Sequence, residues 1–511
     1  MFLFGEVSTA GQPVVTTNVE ESAEAIVTGD CEGPNQNEVL SDMSGTLSST
    51  INSRQLSIWD CLRMDSAERE EEAGVERLQR ISEKKHTKRP EQDLLERIMA
   101  EANMTEAMKR VKQNKGAGGI DRMTVDELDS WMAEHRDRLR QRILDGKYRP
   151  KAVRRVDIPK DKGKTRQLGI PTVVDRVIQQ SICQVLVPLY EGQFSERSYG
   201  FRPKRSAHMA LENCLDYIRE GYKWVVDMDL EKFFDTVNQS KVLQLLSNTI
   251  KDGRVISLIH KFMRAGIMQD GMFKSSDQGV PQGGPLSPLL GNIMLNECDK
   301  ELERRGHRFV RYADDLVIFC KSKKAAERVL RTTSRFLEEK LFLKVNREKT
   351  QVTYIGKVDF LGYGFHADTQ GEPQLRVSKR SFQKLKQKLK QLTGRSNGMS
   401  IAGRKSAINS VIRGWVNYFK LAKMKKKLGE LDGWLRRRMR MVTWKRWKRI
   451  RTKFENLKKT ALGAKQAWIL ANTRNKYWYV AGSPWMSIAI PKRYFELAGY
   501  LSLSDYYARV F

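Results

Sequence analysis

Six cysteines are spread over 511 residues, and none belongs to a Cys-x-x-Cys pair. Cys31, Cys61, Cys183, Cys214, Cys298 and Cys320 therefore offer neither a zinc site nor a disulfide framework, and a reducing compartment follows. No apolar run is long enough to span a bilayer. Met1-Phe2-Leu3-Phe4 is too short an apolar start, and lacks the positive flank, for a secretory signal. The acidic residues behind it speak against an organellar transit peptide, so the expected location is the cytoplasm. Acid is what the body of the chain lacks. Residues 1–80 hold fifteen acidic and five basic residues, which leaves 87 basic and 46 acidic residues in the rest, net +41. A body this basic is the footprint of a polyanion binder, with nucleic acid the first candidate. A basic membrane-surface protein is the rival class, but no long amphipathic or lipidation signal supports it.

Aromatics are also scarce before residue 90, where Ser, Thr, Glu, Gly and Asn dominate. That composition cannot bury a core, and residues 1–90 are expected to be a disordered acidic extension. Helical spacing then begins over residues 91–112 with Leu94, Leu95, Ile98, Ala102 and Met108, before the glycine-rich stretch 114–121 breaks it. Residues 154–160 and 165–168 read as a hairpin around the turn 161–164. A further helix is expected over 175–189, ending near Pro188. Beyond Ser378 the pattern turns helical and basic, with apolar stripes at Leu385, Leu389, Leu392 and at Ile408, Ile412, Trp415, Phe419.

The chemistry gathers at Phe309–Phe319, which reads FVRYADDLVIF. Apolar and β-branched residues flank Asp314 and Asp315, the pattern of a β-hairpin with two carboxylates at its tip. Alone, such a pair is an ordinary solvated turn. Upstream, however, WVVDMDLEKFFD over 224–235 reads as a buried strand whose end presents Asp229. Asp229, Asp314 and Asp315 could together hold two divalent cations, an arrangement suited to in-line phosphoryl displacement. Between them lies GVPQGGPLSP over 279–288, whose glycines would let backbone approach a ligand closely.

These boxes, in this order, resemble the palm of a reverse transcriptase, and in detail a bacterial group II intron reverse transcriptase-maturase. The resemblance covers roughly residues 92–511. It implies an α+β fold: a right-hand polymerase with fingers and palm over 91–375, a helical thumb or maturase domain over 376–440, and a small DNA-binding domain over 441–511. It implies RNA-templated DNA synthesis with two Mg²⁺ held by Asp229, Asp314 and Asp315. By the same resemblance Lys160 and Arg166 would clamp the triphosphate, Gln282 would meet the incoming dNTP, and Phe234 would exclude a ribose 2′-hydroxyl. Gly283 would lie near the template. Arg202, in the block Ser198–Pro203, could touch template or merely pair at a turn. Lys349 could assist the pyrophosphate or be a surface lysine.

The partners implied are the intron RNA, an RNA template, a DNA primer or target, and dNTPs, with no membrane. On the basic stretch 434–449, Leu435, Met439 and Val442 share one face, leaving Arg436, Arg437, Arg440, Lys445 and Arg446 for RNA phosphates. No His-Asn-His or paired-cysteine cluster follows, so the nuclease domain of many relatives is expected to be absent. A splicing-only RNA-binding maturase, or a reverse transcriptase recruited to another role such as phage defence, are the alternatives.

Overall fold

The computed structural model describes residues 93–159, 165–269, 272–275 and 278–511, with backbone alone at 159, 165 and 166. The expected extension over 1–90 and the side chain of Lys160 lie outside the described residues. The strands in chain order are β1 Val153–Pro159, β2 Thr165–Ile170, β3 Trp224–Met228, β4 Ile267–Gln269, β5 Met272–Lys274, β6 Arg308–Tyr312, β7 Asp315–Cys320, β8 Gln351–Tyr354, β9 Asp359–Phe360, β10 Tyr363–Ala367 and β11 Pro373–Val377. They form three sheets, ordered β2-β1-β4-β5, β6-β7-β3-β8 and β11-β10-β9.

The central sheet is antiparallel throughout, and its residues alternate faces as a pleated strand requires. Val226, Met228, Phe309, Leu316 and Ile318 point into one core, packed against helices such as Val173–Glu191 and Leu286–Arg304. Val225, Val310, Val317 and Phe319 point into a second core. That second core also takes in the helices Ala207–Arg219, Lys379–Leu392, Ile401–Phe419 and Lys425–Arg446. One sheet thus joins palm and thumb by its two faces. The α+β polymerase architecture expected from sequence is what the chain adopts.

Several local expectations hold. The fingers hairpin pairs β1 with β2, Ile158 opposite Arg166 and Pro159 opposite Thr165. Leu385, Leu389, Ile408, Ile412, Trp415 and Phe419 are all fully buried. Four of the six cysteines, Cys183, Cys214, Cys298 and Cys320, lie in the described residues and are buried. Among the described residues no helix is long and apolar enough to cross a membrane.

Three expectations are corrected. The first helix is two, Leu94–Ile98 and Glu101–Gln113, because the chain turns extended at Ala100. The Ile98 carbonyl freed by that break is taken by the Asn103 side-chain amide at 2.8 Å. Pro188 does not end its helix, which runs on to Glu191. The proline removes the N–H that would bond the Gln184 carbonyl, and the helix runs on for less than one further turn without that bond. Finally, the expected domain boundary after residue 440 falls inside the continuous helix Lys425–Arg446. The carboxyl-terminal helices are pinned to that helix by buried Asp432, which accepts from the backbone N–H of Leu503 and Ser504 and the hydroxyls of Ser502 and Ser504. An acidic side chain at the N-terminus of Leu503–Val510 satisfies its otherwise unpaired donors.

Candidate active site

The β6–β7 hairpin closes between Tyr312 and Asp315, so Ala313 and Asp314 form a two-residue turn. Hairpin turns that match strand twist need positive φ at the first central residue, a place favoured by glycine. Here it is Ala313, at φ +56. Such a residue persists only where its surroundings over-determine it. Arg311 supplies that constraint. It is 1% exposed and donates from Nη1 to the Ala313 carbonyl at 2.9 Å and to Asn292 Oδ1 at 2.9 Å. Its Nε and Nη2 grip the fully buried Asp299 at 2.5–3.0 Å. Asn292 in turn donates to the Gly200 carbonyl at 2.8 Å. Gly200 lies so close to the turn that a Cβ there would stand 2.3 Å from Ala313 N.

Across the sheet, β3 pairs with β7 with Met228 opposite Leu316. One step further along that register brings Asp229 opposite Asp315. Asp227, two residues back, shares that face by strand parity. The segment after the helix Lys323–Lys340 then clasps Asp229. Lys349 Nζ lies 2.9 and 2.8 Å from its two carboxylate oxygens, and Asn346 Nδ2 donates at 2.9 Å. The Asp229 backbone N–H donates to Thr350 Oγ1 at 3.1 Å.

The electrostatics are those of crowded anions. Asp315 opens to the cleft on one side, yet desolvation first, then the charges of Asp314, Asp229 and Asp227, push its carboxyl up to about 7. Because the group meets solvent at the cleft, the like charges are the part a bound cation would relieve. Burial, then the charge of Asp229, also raises Asp227. Lys349 is the counter-charge in contact, and it touches Asp229. Among the described residues no group of three or more His, Cys, Asp or Glu is arranged so that it could hold a metal ion. The donor set nonetheless fits hard divalent cations: oxygen ligands in excess, held beside one another at the cost of mutual repulsion.

Phe234 belongs to a short helical turn, Phe233–Thr236, and not to the strand. The two rings meet edge to face, and a Cβ at Gly291 would touch both. Phe233 is buried, whereas Phe234 is half-buried, its ring centroid 5.0 Å from that of Phe233. The loop 279–285 closes against the fingers: Gly169 N–H donates to the Gln282 carbonyl at 2.7 Å. Gly283 has φ +111, and a Cβ there would lie 2.5 Å from the Gly169 carbonyl. Its close approach is therefore to fingers backbone. Of the expected triphosphate clamp, Arg166 is placed by its backbone on β2.

Arg202 is a correction. It is 3% exposed and tied to Glu191 at 2.7 Å and to the Ser195 and Ser198 carbonyls at 2.5 and 2.8 Å. The block it belongs to buttresses the hairpin, with Tyr199 N–H donating to the Arg311 carbonyl and Arg311 N–H to the Arg197 carbonyl, each at 2.9 Å. No donor is left facing a template. The basic helix needs revision too. Arg437 donates to the Trp478 carbonyl at 2.9 Å and stacks over its ring at 4.2 Å. Arg440 donates to the Ile490 carbonyl at 2.9 Å and Ser487 Oγ at 3.0 Å. Both dock carboxyl-terminal helices, a use that composition alone does not separate from phosphate binding. Arg436 and Lys445 are half-buried, Lys445 donating to Ser396 Oγ at 3.1 Å, and Arg446 is exposed. Sequence reading missed Asp227, Arg311, Asp299, Asn292, Asn346 and Thr350, and it singled out Lys349 without its contact to Asp229. The Asp227-x-Asp229 spacing is the one signal that pointed to any of them.

The family described as "Reverse transcriptase (RNA-dependent DNA polymerase)" matches residues 158–365, and "Group II intron, maturase-specific domain" matches residues 382–461. Protein YkfC of Escherichia coli (strain K12) is 34% identical over 313 residues, 53% of this chain and 82% of that protein. The Group II intron-encoded protein LtrA of Lactococcus lactis subsp. cremoris is 31% identical over 336 residues, 52% of this chain and 55% of LtrA. The chain thus spans little more than half of LtrA. Among solved structures, a chain of a partial Cas6-RT-Cas1–Cas2 complex is 25% identical, covering 48% of this chain and 43% of that one. Its TM-score is 0.32, too low to bear on fold or function.

Asp315 gives a pH signature. A carboxyl raised from 3.8 to about 7 binds its proton more tightly in the fold. Its effect on stability is therefore an increasing loss as pH rises from about 4 to about 7, complete above that range. Relative to Asp315→Asn, the wild-type chain in EDTA should lose melting temperature across this interval. Mg²⁺ should recover more of it in the wild type. Parallel pH profiles for the two proteins, with equal Mg²⁺ responses, would contradict this placement.

Proposed function

Because this chain belongs to the group II intron-encoded reverse transcriptase/maturase family, whose polymerase acts on RNA templates, we propose that Asp229, Asp314 and Asp315 are its catalytic carboxylates. The observation that supports this reading is the β3–β7 register, whose continuation past Met228 and Leu316 would bring Asp229 to Asp315, together with the charges of Asp314 and Asp229 acting on Asp315. Two Mg²⁺ ions bound by these carboxylates would stabilise the attacking and leaving oxygens of phosphoryl transfer. The chain itself supplies position. The buried Arg311 fixes the turn that carries Asp314, and Asn346 and Thr350 fix Asp229. Lys349, held at Asp229, is the cation proposed to meet the charge that develops on departing pyrophosphate.

Lys160, together with Arg166 opposite Ile158 on β2, is proposed to hold the triphosphate, with Gln282 at the nucleotide and Gly283 at the template. The half-buried ring of Phe234 is proposed to occupy the room a 2′-hydroxyl would need. The maturase domain is proposed to bind the RNA of the parent intron, aiding splicing and mobility, with Arg436, Lys445 and Arg446 among its phosphate contacts. A DNA primer or target and dNTPs complete the partners, and the bacterial cytoplasm is the proposed location.

Asp314→Ala with Asp315→Ala should abolish Mg²⁺-dependent extension of a DNA primer on an RNA template, while intron RNA binding survives on basic surfaces elsewhere. Extension by the double variant would overturn the carboxylate assignment. Phe234→Ala should admit ribonucleotides, raising their incorporation relative to deoxynucleotides by at least about tenfold, one order in the selectivity ratio. An unchanged ratio would place the sugar gate on another residue.

A further inference from the structure

The arginines that dock the carboxyl-terminal helices leave another face of the same helix open. Where β11 meets the thumb, the helices Lys379–Leu392 and Lys425–Arg446 enclose a cavity of about 410 Å³. That volume is typical of pockets for small flat ligands. Its apolar lining comes from Val377, Phe382, Met424, Leu431 and Trp434. Its charged lining is one-sided: Arg376, Lys379, Lys386, Lys423 and Lys427 against the single acid Glu430. These cations are exposed, whereas Trp434 is half-buried.

Trp434 is held firmly. Arg438 lies over its ring at 5.6 Å from the centroid. That guanidinium is tied to Thr393 Oγ1 at 2.8 Å and to the Thr393 and Lys390 carbonyls at 2.9 and 3.0 Å. Lys386 Nζ stands 5.4 Å from the same ring. A flat apolar ring bordered by exposed cations offers stacking to a π-face and charge to the groups on either side of it. An unpaired nucleotide has both: a base to stack and flanking phosphates to pair. A duplex presents no free base face to such a pocket, and a lipid headgroup presents none at all.

We propose that this pocket receives one unpaired nucleobase of a bound RNA strand, stacked on Trp434, with the adjacent phosphates on Lys379, Lys386 and Lys427. The choice of RNA rests on the maturase reading, since Phe382, Lys386 and Trp434 all lie within the maturase-specific match. The ammonium of Lys386 covers the ring in the free protein and swings on its flexible stem to a phosphate when the base enters.

The test uses the full chain and a 20-nucleotide unstructured RNA carrying 4-thiouridine, beside a DNA of the same sequence carrying 4-thiothymidine. Trp434→Ala should weaken RNA binding on the order of tenfold, and Trp434→Phe should restore most of it. Lys379→Gln with Lys386→Gln and Lys427→Gln, all at exposed positions, should make the dependence of log affinity on log salt shallower by about 2. Photocrosslinks should map to peptides containing Phe382 or Trp434. Unchanged affinity in folded Trp434→Ala, an unchanged salt slope in the triple variant, or crosslinks confined to other surfaces would each overturn the proposal. An equal loss on the DNA strand would overturn the assignment to RNA. Primer extension on an RNA template should persist in every variant. Wild-type chain that extends primers yet binds no RNA strand would overturn the maturase reading and this pocket together, whereas RNA binding indifferent to these substitutions would overturn the pocket alone.

Discussion

A buried guanidinium holds the Ala313–Asp314 turn in shape. Arg311 and Asp299 lie in the interior at 1% and 0% exposure, an expensive place for charge unless every donor and acceptor is met. They are met: Asp299 takes two donors of Arg311, Asn292 and the Ala313 carbonyl take the other, and Asn292 passes the constraint to Gly200. Removing one partner of such a pair costs about 3–5 kcal/mol in general. Here the loss would fall on the turn that carries Asp314. Replacing both partners by apolar residues of similar volume could spare stability, but it would free the Ala313 carbonyl and the left-handed turn it fixes. The geometry of the site is therefore a stronger reason for the pair than stability is.

The second constraint is repulsion. Strand register brings Asp229 and Asp315 face to face, strand parity adds Asp227, and the hairpin turn adds Asp314. Hydrophobic burial on both faces of the sheet forces this, because sliding either strand by one residue would turn Val225, Val226, Val317 and Ile318 to the wrong cores. The sheet thus converts packing energy into carboxylate proximity. Lys349 relieves part of it at Asp229, and cations would relieve the rest. The same sheet packs the helices of the maturase-specific match against one of its faces.

Much of this was legible before any coordinates. The hairpin could be read because apolar alternation with an interrupted centre has few other meanings, and Asp229 because a short β-branched run ended on it. Phe234 lies on a helical turn where the sequence suggested continued strand, its half-buried ring in edge contact with that of Phe233. What failed was the reading of arginines. Arg202, Arg311, Arg437 and Arg440 look alike in a basic sequence, but their partners are a carboxylate 11 residues away, one 12 residues away, and carbonyls 41 and 50 residues away. Those distances belong to tertiary structure, and no local pattern encodes them. The clasp on Asp229 was hidden for the same reason, since Lys349 reaches it across 120 positions.

The central claim, that Asp229 and the Asp314–Asp315 turn share bound metal, can be read directly from where a bound metal cuts the chain. Fe²⁺ replacing Mg²⁺ in the full-length protein, with ascorbate and peroxide, releases hydroxyl radicals that cleave backbone beside the ion. The account predicts cleavage at two places far apart in sequence, around residues 227–231 and around residues 313–316. Both cuts should be suppressed by excess Mg²⁺ and by Asp315→Asn. Cleavage at one of these places only, or cleavage at neither with strong cutting elsewhere, would contradict it.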